Sequence, residues 1–450
     1  MLELGMRDNK VVVIGLGYVG LPTAAIMANA GIEVHGVDVN PATLQVLNAG
    51  GCPIGEPEVV KLVTGALASG RLKASDTPVT SDVFIICVPT PITDEKRADV
   101  SIVRAATRTL AKYVKKGDLI ILESTSPVGT TEHTVGEELA AQGFDIREDL
   151  DLCYCPERVF PGSTISEIVE NDRIIGGLTP RAAARASALY ARFCTGGLLE
   201  TASATAEFSK LMENTYRDVN IALANVFGHI AEASGIDVND AITLANRHPR
   251  VNVHKPGPGV GGHCIPVDPW FLIDGFPEQT GLLLQSRLIN DGQPHHLWAR
   301  VKRVSGAIGK VAILGAAYRG NLDDARDTPA EHLIHALKAD GVGYAVHDPH
   351  VSKFRLHCGQ EVPVNTDLAQ TLDGADAAII MTDHSAYRGL GPEAFAGMSG
   401  KLIADGRNLV DRCALSAAGF TVIPVGAPLS RPSGQAFLPG KEKDTVLASG

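Results

Sequence analysis

The chain has few aromatics, no long apolar run and no excess of positive charge, and each shortage closes off a class of protein. Aromatics make up 5% of its 450 residues, hydrophobics 45% and charged residues 20%, the balance of an ordinary globular protein. No uninterrupted apolar stretch is long enough to span a bilayer, so no membrane anchor is expected. A net charge of −11 excludes a general nucleic-acid surface, and any phosphate ligand must meet a local basic pocket. The stretch from Met1 to Lys10 lacks an apolar core, which argues against a signal peptide. Eight cysteines are scattered without a single CxxC pair, so zinc and redox motifs are not indicated and no metal is expected. Such thiols suit a reducing cytoplasm.

What is present is alternation. Lys10 to Ile14 reads as a buried strand, Leu21 to Ala30 as a helix and Glu33 to Asp38 as a second strand, with further strands at Asp82 to Val88 and Asp118 to Glu123. Asp151 to Pro156 reads as a strand with Cys153 and Cys155 on one face. The C-terminal third repeats this syntax at Lys310 to Gly315, Tyr344 to Asp348, Asp376 to Met381 and Lys401 to Asp405. Short apolar strands separated by helices imply parallel, doubly wound sheets. The expected fold is α/β: two Rossmann-like domains, 1–198 and 301–450, joined by a central helical dimerisation segment, 199–300. Within that segment a long helix spans about Ala204 to Ser234 and stops at Gly235. Phe208, Leu211, Met212, Thr215, Val219, Leu223, Val226 and Ile230 form one mostly apolar stripe on it, while Lys210, Asn214 and Arg217 project from the other side. A solvated surface is the plain reading of that polar side. The Gly/Pro/Ser-rich tail after Pro428 is expected to be poorly ordered.

Three motifs carry chemistry. Gly15-Leu16-Gly17-Tyr18-Val19-Gly20 is a G-x-G-x-x-G run that follows a strand and opens a helix, where backbone N–H groups can hold a pyrophosphate. Asp38, 18 residues past Gly20, can accept both ribose hydroxyls and repel a 2′-phosphate, which favours NAD over NADP. The counterpart Gly315-Ala316-Ala317-Tyr318-Arg319-Gly320 has Ala317 where backbone would have to approach a pyrophosphate, so a different nucleotide-like ligand is expected there. Arg319, Arg326 and Arg407 are its available phosphate partners. The run from Pro256 to Cys264, with Asp268 close behind, places one thiol at the end of a Gly/Pro-rich loop. It is either a tight turn beside a buried cysteine or the mount of a nucleophilic thiolate.

With these residues in place, the chain resembles the nucleotide-sugar 6-dehydrogenases, the UDP-glucose/GDP-mannose dehydrogenase group, over nearly its full length. The matching segments are Gly15 to Gly20, Glu123 to Gly129, Pro156-Glu157, Glu207 to Asn214, and Gly261 to Cys264 with Asp268. The resemblance implies oxidation of a sugar C6 alcohol to a carboxylate in two hydride transfers to NAD. It makes Cys264 the nucleophile, Lys210 and Asn214 the oxyanion-stabilising pair, Asp268 the water-positioning acid, Glu157 a base for hydrolysis and Thr125 a holder of the catalytic water. It assigns Gly15, Gly17, Tyr18, Val19, Gly20, Asp38, Pro89, Thr90, Thr125 and Arg326 to the cofactor. To the nucleotide-sugar it assigns Glu157, Arg158, Val159, Lys210, Asn214, Arg217, Arg250, Lys255, Gly261, Tyr318, Arg319 and Arg407. Arg250 is implied to reach the neighbouring site across a homodimer.

The segments from Pro156 to Gly162 and from Glu213 to Asn220 resemble enzymes acting on N-acetylated hexosamines, with Arg158 and Arg217 as donors to the acetamido group. The stretch from Arg247 into Val260 looks most like enzymes acting on UDP-N-acetyl-D-mannosamine, with UDP-N-acetylglucosamine as the alternative. Two other classes stay open: a one-step hydroxy-acid dehydrogenase, which would not need Cys264, and a non-catalytic NAD-binding module. A role in surface-polysaccharide synthesis follows from the resemblance.

Overall fold

The structure, a computed structural model, describes residues 9–159 and 162–429. The expected poorly ordered tail lies outside these residues beyond Leu429, as do the first eight positions read for a signal peptide. No described helix is long and apolar enough to cross a membrane.

Eight strands form the first sheet: β1 (Lys10–Ile14), β2 (Glu33–Val37), β3 (Leu72–Ser75), β4 (Val83–Ile86), β5 (Leu119–Leu122), β6 (Asp151–Tyr154), β7 (Arg173–Gly177) and β8 (Leu198–Ala202). Their order is β3-β2-β1-β4-β5-β6-β7-β8, so β1 and β4 pair in parallel and the progression of strands along the sheet reverses between them. Alternate residues serve two cores. Val11, Val13, Ile85, Ile121 and Cys153 pack into one cluster, and Val12, Ile14, Phe84, Ile86, Ile120 and Leu122 into the other. Both faces are therefore covered, which is why these strands read as continuous apolar runs. Cys155 joins Cys153 in the same cluster, so the two thiols do share a face.

One pairing departs from the expected parallel order, because β7 runs antiparallel to β6. Among its described residues the connection holds a seven-residue helix, Thr164–Glu170, and it turns back instead of crossing over. The start of β7 is thereby brought to the end of β6, with Arg173 Nη1 lying 3.5 Å from Cys155 Sγ.

The second sheet takes β9 (Lys310–Leu314) and β10 (Gly343–His347). After a small hairpin of β11 (Lys353–Arg355) and β12 (Glu361–Pro363), it adds β13 (Ala377–Ile380), β14 (Leu402–Asp405) and β15 (Thr421–Pro424). Its order is β10-β9-β13-β14-β15, parallel throughout. Val311 and Ile313 face one core and Ala312 and Leu314 the other, so this sheet is also covered on both sides.

The described chain divides into two compact units. One runs through Thr215 and resumes over Val267–Gly281; the other takes Tyr216–Pro266 and the chain from Leu282 onward. The long helix, Ser203–Ser234, ends at Gly235 with φ +72°, as its sequence predicts. Its faces are the reverse of the plain reading. Lys210 and Asn214 are only 7% and 8% exposed, whereas Met212, Tyr216 and Ile230 are 53%, 68% and 56% exposed. Phe208, Leu223 and Phe227 are exposed as well, while Leu211 and Thr215 of the expected apolar stripe are buried. The polar side of this helix points inward and much of its apolar side points out.

Candidate active site

In the first unit the predicted cofactor residues other than Arg326, which belongs to the second unit, gather past the C-terminal ends of β1, β2, β4 and β5, beside the point where strand order reverses. Gly15 has φ +93°, and a Cβ there would lie 2.4 Å from the carbonyl oxygen of Cys87. Any other residue would push β1 and β4 apart. Gly17 differs, since its φ is ordinary and an added Cβ would meet no protein atom within 4 Å. Nothing in the chain itself demands glycine at Gly17, which fits a loop kept bare for a pyrophosphate. Gly17→Ala is therefore expected to leave the unfolding midpoint unchanged while weakening NAD binding about tenfold or more, read by titration calorimetry.

Asp38, half-exposed at the end of β2, accepts from the N–H groups of Leu16 and Asn40, each at 2.8 Å. These bonds aim the carboxylate beside the glycine loop, where a ribose would be met. Thr90, just past β4, donates its hydroxyl to the carbonyl of Thr125, just past β5. Pro89 is exposed beside it, and Val19 precedes the helix Gly20–Asn29.

The predicted catalytic carboxylates also lie in this unit, around Lys210. Asp268 is buried at the start of the helix Asp268–Gly275 and accepts from Asn214 Nδ2 at 2.5 Å. Burial pushes its carboxyl up to about 6; the charge of Lys210 and the bond from Asn214 oppose that rise, and Glu157 adds to it. Glu157 is likewise raised by desolvation, against the pull of Lys210. Two carboxylates thus share one buried ammonium. Glu157 also accepts from the N–H of Val159, which folds its side chain over its own loop. Arg158, expected to donate to an acetamido group, pairs with Glu213 at 2.7 Å and donates to the carbonyl of Asp172 at 3.0 Å. It braces the Glu157 segment from both sides.

Glu207 belongs to a matching segment of the sequence that assigns it no role. It is fully buried and accepts from Gly129 N at 2.6 Å, Thr131 N at 2.8 Å and Thr131 Oγ1 at 2.6 Å. These bonds tie the loop carrying Thr125 to the helix carrying Lys210. Its place one turn before Lys210 is the only hint the sequence offers. Glu207→Ala strands three donors, so a loss of roughly 2–4 kcal/mol in unfolding free energy is expected by chemical denaturation.

In the second unit Cys264 is exposed. The loop before it packs on Tyr318: a Cβ on Gly261 would lie 2.8 Å from Tyr318 Cβ, and one on Gly262 2.9 Å from its ring. Arg217 and Arg319 lie within electrostatic reach of each other, and Cys264 is near Arg217. Arg326 forks onto Asp324, with Nη2 at 2.6 Å, and its Nη2 is 3.5 Å from His263. Arg407 donates Nε to the carbonyl of Met381 at 3.0 Å and lies under Gly257 of the cysteine loop. Buried Asp405 holds the turn bearing Arg407 by accepting from Arg407, Leu409 and Val410 N–H groups. Lys255 and Arg250 are exposed on the same unit.

The second glycine-type loop is closed by its own acid. Asp348, at the end of β10, occupies the place that Asp38 holds in the first sheet but has no exposed surface. Its Oδ2 accepts from Ala316 N at 2.8 Å, Ala317 N at 2.9 Å and His384 Nε2 at 2.9 Å. Against the upward push of burial, the bond and charge of His384 and the N–H groups of Ala317 and His350 hold its carboxyl down at about 2. An acid so occupied cannot accept ribose hydroxyls, and with Ala317 in the loop this module does not present a dinucleotide site. The expectation of a different ligand there has its physical reason.

These two sheets and this polar cluster define a nucleotide-dependent dehydrogenase with two nucleotide-binding modules. The chain belongs to the UDP-glucose/GDP-mannose dehydrogenase family: its NAD binding domain matches residues 9–194, its central domain 204–291 and its UDP binding domain 312–412. It is thus an NAD-dependent oxidoreductase by family. Among its relatives, the UDP-N-acetyl-D-mannosamine dehydrogenase of Methanocaldococcus jannaschii is 41% identical over 425 residues, covering 93% of this chain and 96% of that one. An NDP-N-acetyl-D-galactosaminuronic acid dehydrogenase of Ralstonia nicotianae is 42% identical, covering 84% and 91%. The solved structure of a UDP-D-ManNAc dehydrogenase from Pyrococcus horikoshii superposes with a TM-score of 0.85 at 37% identity, covering 93% of this chain and 99% of that one.

Proposed function

We propose that this chain oxidises UDP-N-acetyl-D-mannosamine at C6 to UDP-N-acetyl-D-mannosaminuronate, a precursor for surface polysaccharide made in the cytoplasm. The observation that carries the reading is the buried Lys210, flanked by Asn214, Asp268 and Glu157. Such a group has a use where negative charge develops on oxygen. The three stretches 1–198, 199–300 and 301–450 divide the work between cofactor, catalytic loop with dimer contact, and UDP-sugar.

Gly15 to Gly20 and Asp38 would hold two NAD⁺ molecules in succession, each supplying the acceptor for one hydride. This chain's residues do the rest. Cys264, as thiolate, adds its sulfur to the C6 aldehyde to form a thiohemiacetal, whose oxidation leaves a thioester. Lys210 and Asn214 hold the charged oxygen of both tetrahedral species. Asp268 and Glu157 take and return protons, Thr125 holds the water that attacks the thioester, and the carboxylate leaves as the Cys264 thiol is restored. Arg217, Lys255, Tyr318, Arg319 and Arg407 hold the UDP-sugar, and Arg326 serves the cofactor. The exposed row of Phe208, Met212, Tyr216, Leu223, Phe227 and Ile230 supports a homodimer along the long helix, in which Arg250 completes the neighbouring site.

The test is a panel of UDP-N-acetylmannosamine, UDP-N-acetylglucosamine, UDP-N-acetylgalactosamine and UDP-glucose, with NADH counted per sugar consumed. The expected result is a preference for the first, with two NADH formed per sugar. Preference for another hexosamine would replace the substrate, and one NADH per sugar would replace the mechanism.

A further inference from the structure

Glu56 stands at the N-cap position before Pro57 of the helix Pro57–Ala68, where Ser, Thr, Asp or Asn is the usual residue, and its side chain makes no capping bond. It is turned elsewhere. One oxygen, Oε1, accepts from the Tyr18 hydroxyl, from Gly162 N at 2.8 Å and from Thr164 Oγ1 at 3.2 Å. Tyr18 belongs to the glycine loop that serves the cofactor. Gly162 and Thr164 lie just past Glu157, Arg158 and Val159, the segment assigned to the sugar. Thr164 is buried at the start of the helix Thr164–Glu170, which packs on both Gly20–Asn29 and Pro57–Ala68.

Three donors on one half-buried carboxylate oxygen make a charge-assisted junction, stronger than neutral hydrogen bonds would be. Its donors come from two loops that serve different ligands. A ligand that reorients Tyr18 changes what Glu56 can hold at Gly162 and Thr164, and the reverse is equally true.

We propose that Glu56 is a positioning residue that couples occupancy of the dinucleotide loop to the conformation of the sugar-binding segment. This rests on the function proposed above.

The test is the dissociation constant of NADH measured alone and with saturating UDP-N-acetylmannosamine, a pair that cannot react. For the unaltered chain the two constants should differ by about fivefold or more. In Glu56→Ala the ratio should fall to about one. Tyr18→Phe, which keeps the ring, should lower the ratio likewise, and the double variant should lower it no further. Glu56→Gln, which keeps an acceptor without the charge, should restore part of it. A merely structural role would lower stability but leave the ratio unmoved. If Glu56→Ala does not fold, Tyr18→Phe decides. A ratio unchanged in the variants, or equal to one in the unaltered chain, overturns the coupling while the proposed function stands. Failure of the unaltered chain to bind any UDP-hexosamine overturns both.

Discussion

Cys264→Ser is expected to lower four-electron turnover by roughly a thousandfold or more while the fold and NAD binding remain intact. A serine hydroxyl at neutral pH is a far poorer nucleophile than a thiolate, so the aldehyde made in the first oxidation would not be captured efficiently. An ester formed at serine would also hydrolyse more slowly than a thioester. The measurement is single-turnover NADH formation together with mass analysis of the sugar product. Full release of the carboxylate by Cys264→Ser would sink the covalent route. Because Cys264 is exposed and its side chain fills no core, lost stability should not obscure the result.

The second large effect falls on Lys210. Lys210→Met should reduce kcat by about 10²–10³, the usual cost of removing one preorganised donor to an oxyanion. A distinct signature should accompany it. In the native protein the ammonium opposes the desolvation that raises both Asp268 and Glu157. Its removal lets both rise further. Asp268 stands at about 6 in the folded protein, so activity that needs its ionised form should climb as pH rises through about 6. Lys210→Met should move that limb to higher pH.

The sign for stability is opposite. A carboxyl raised above its unfolded value binds its proton more tightly when folded, so stability from Asp268 is present at low pH and lost as pH rises through about 6. Asp268→Asn should abolish both trends. A limb that stays in place in Lys210→Met would show that this cluster does not set the pH profile.

Much of this was legible in the chain because the signals were local. The strand from Lys10, the glycines after it and Asp38 are contiguous or nearly so, and a Rossmann loop needs little else. The repeat of that syntax from Lys310 revealed the second module, and Ala317 already marked it as different. What escaped was non-local. Glu207 sits in a segment recognised by resemblance, but its three donors come from residues 129–131, far back in the chain. Glu56 lies in a stretch without any motif, and its partners come from positions 18, 162 and 164. The antiparallel entry of β7 could not be read either, because a short connecting helix does not announce which way it returns.

The sequence by itself determined that there are two nucleotide-type modules, that the first binds NAD, and which residue types could oxidise an alcohol. The tertiary structure decided which of these groups are buried together and which way each faces. The long helix makes the point. Its 3.6-residue period separates an apolar side from a polar one, but periodicity carries no sign. The usual rule would send Lys210 and Asn214 to solvent. They go inward because Glu157 and Asp268, 53 and 58 residues from Lys210 in the chain, supply the opposite charge and the hydrogen bond that make their burial tolerable. Compensation of that kind exists only once the chain has folded.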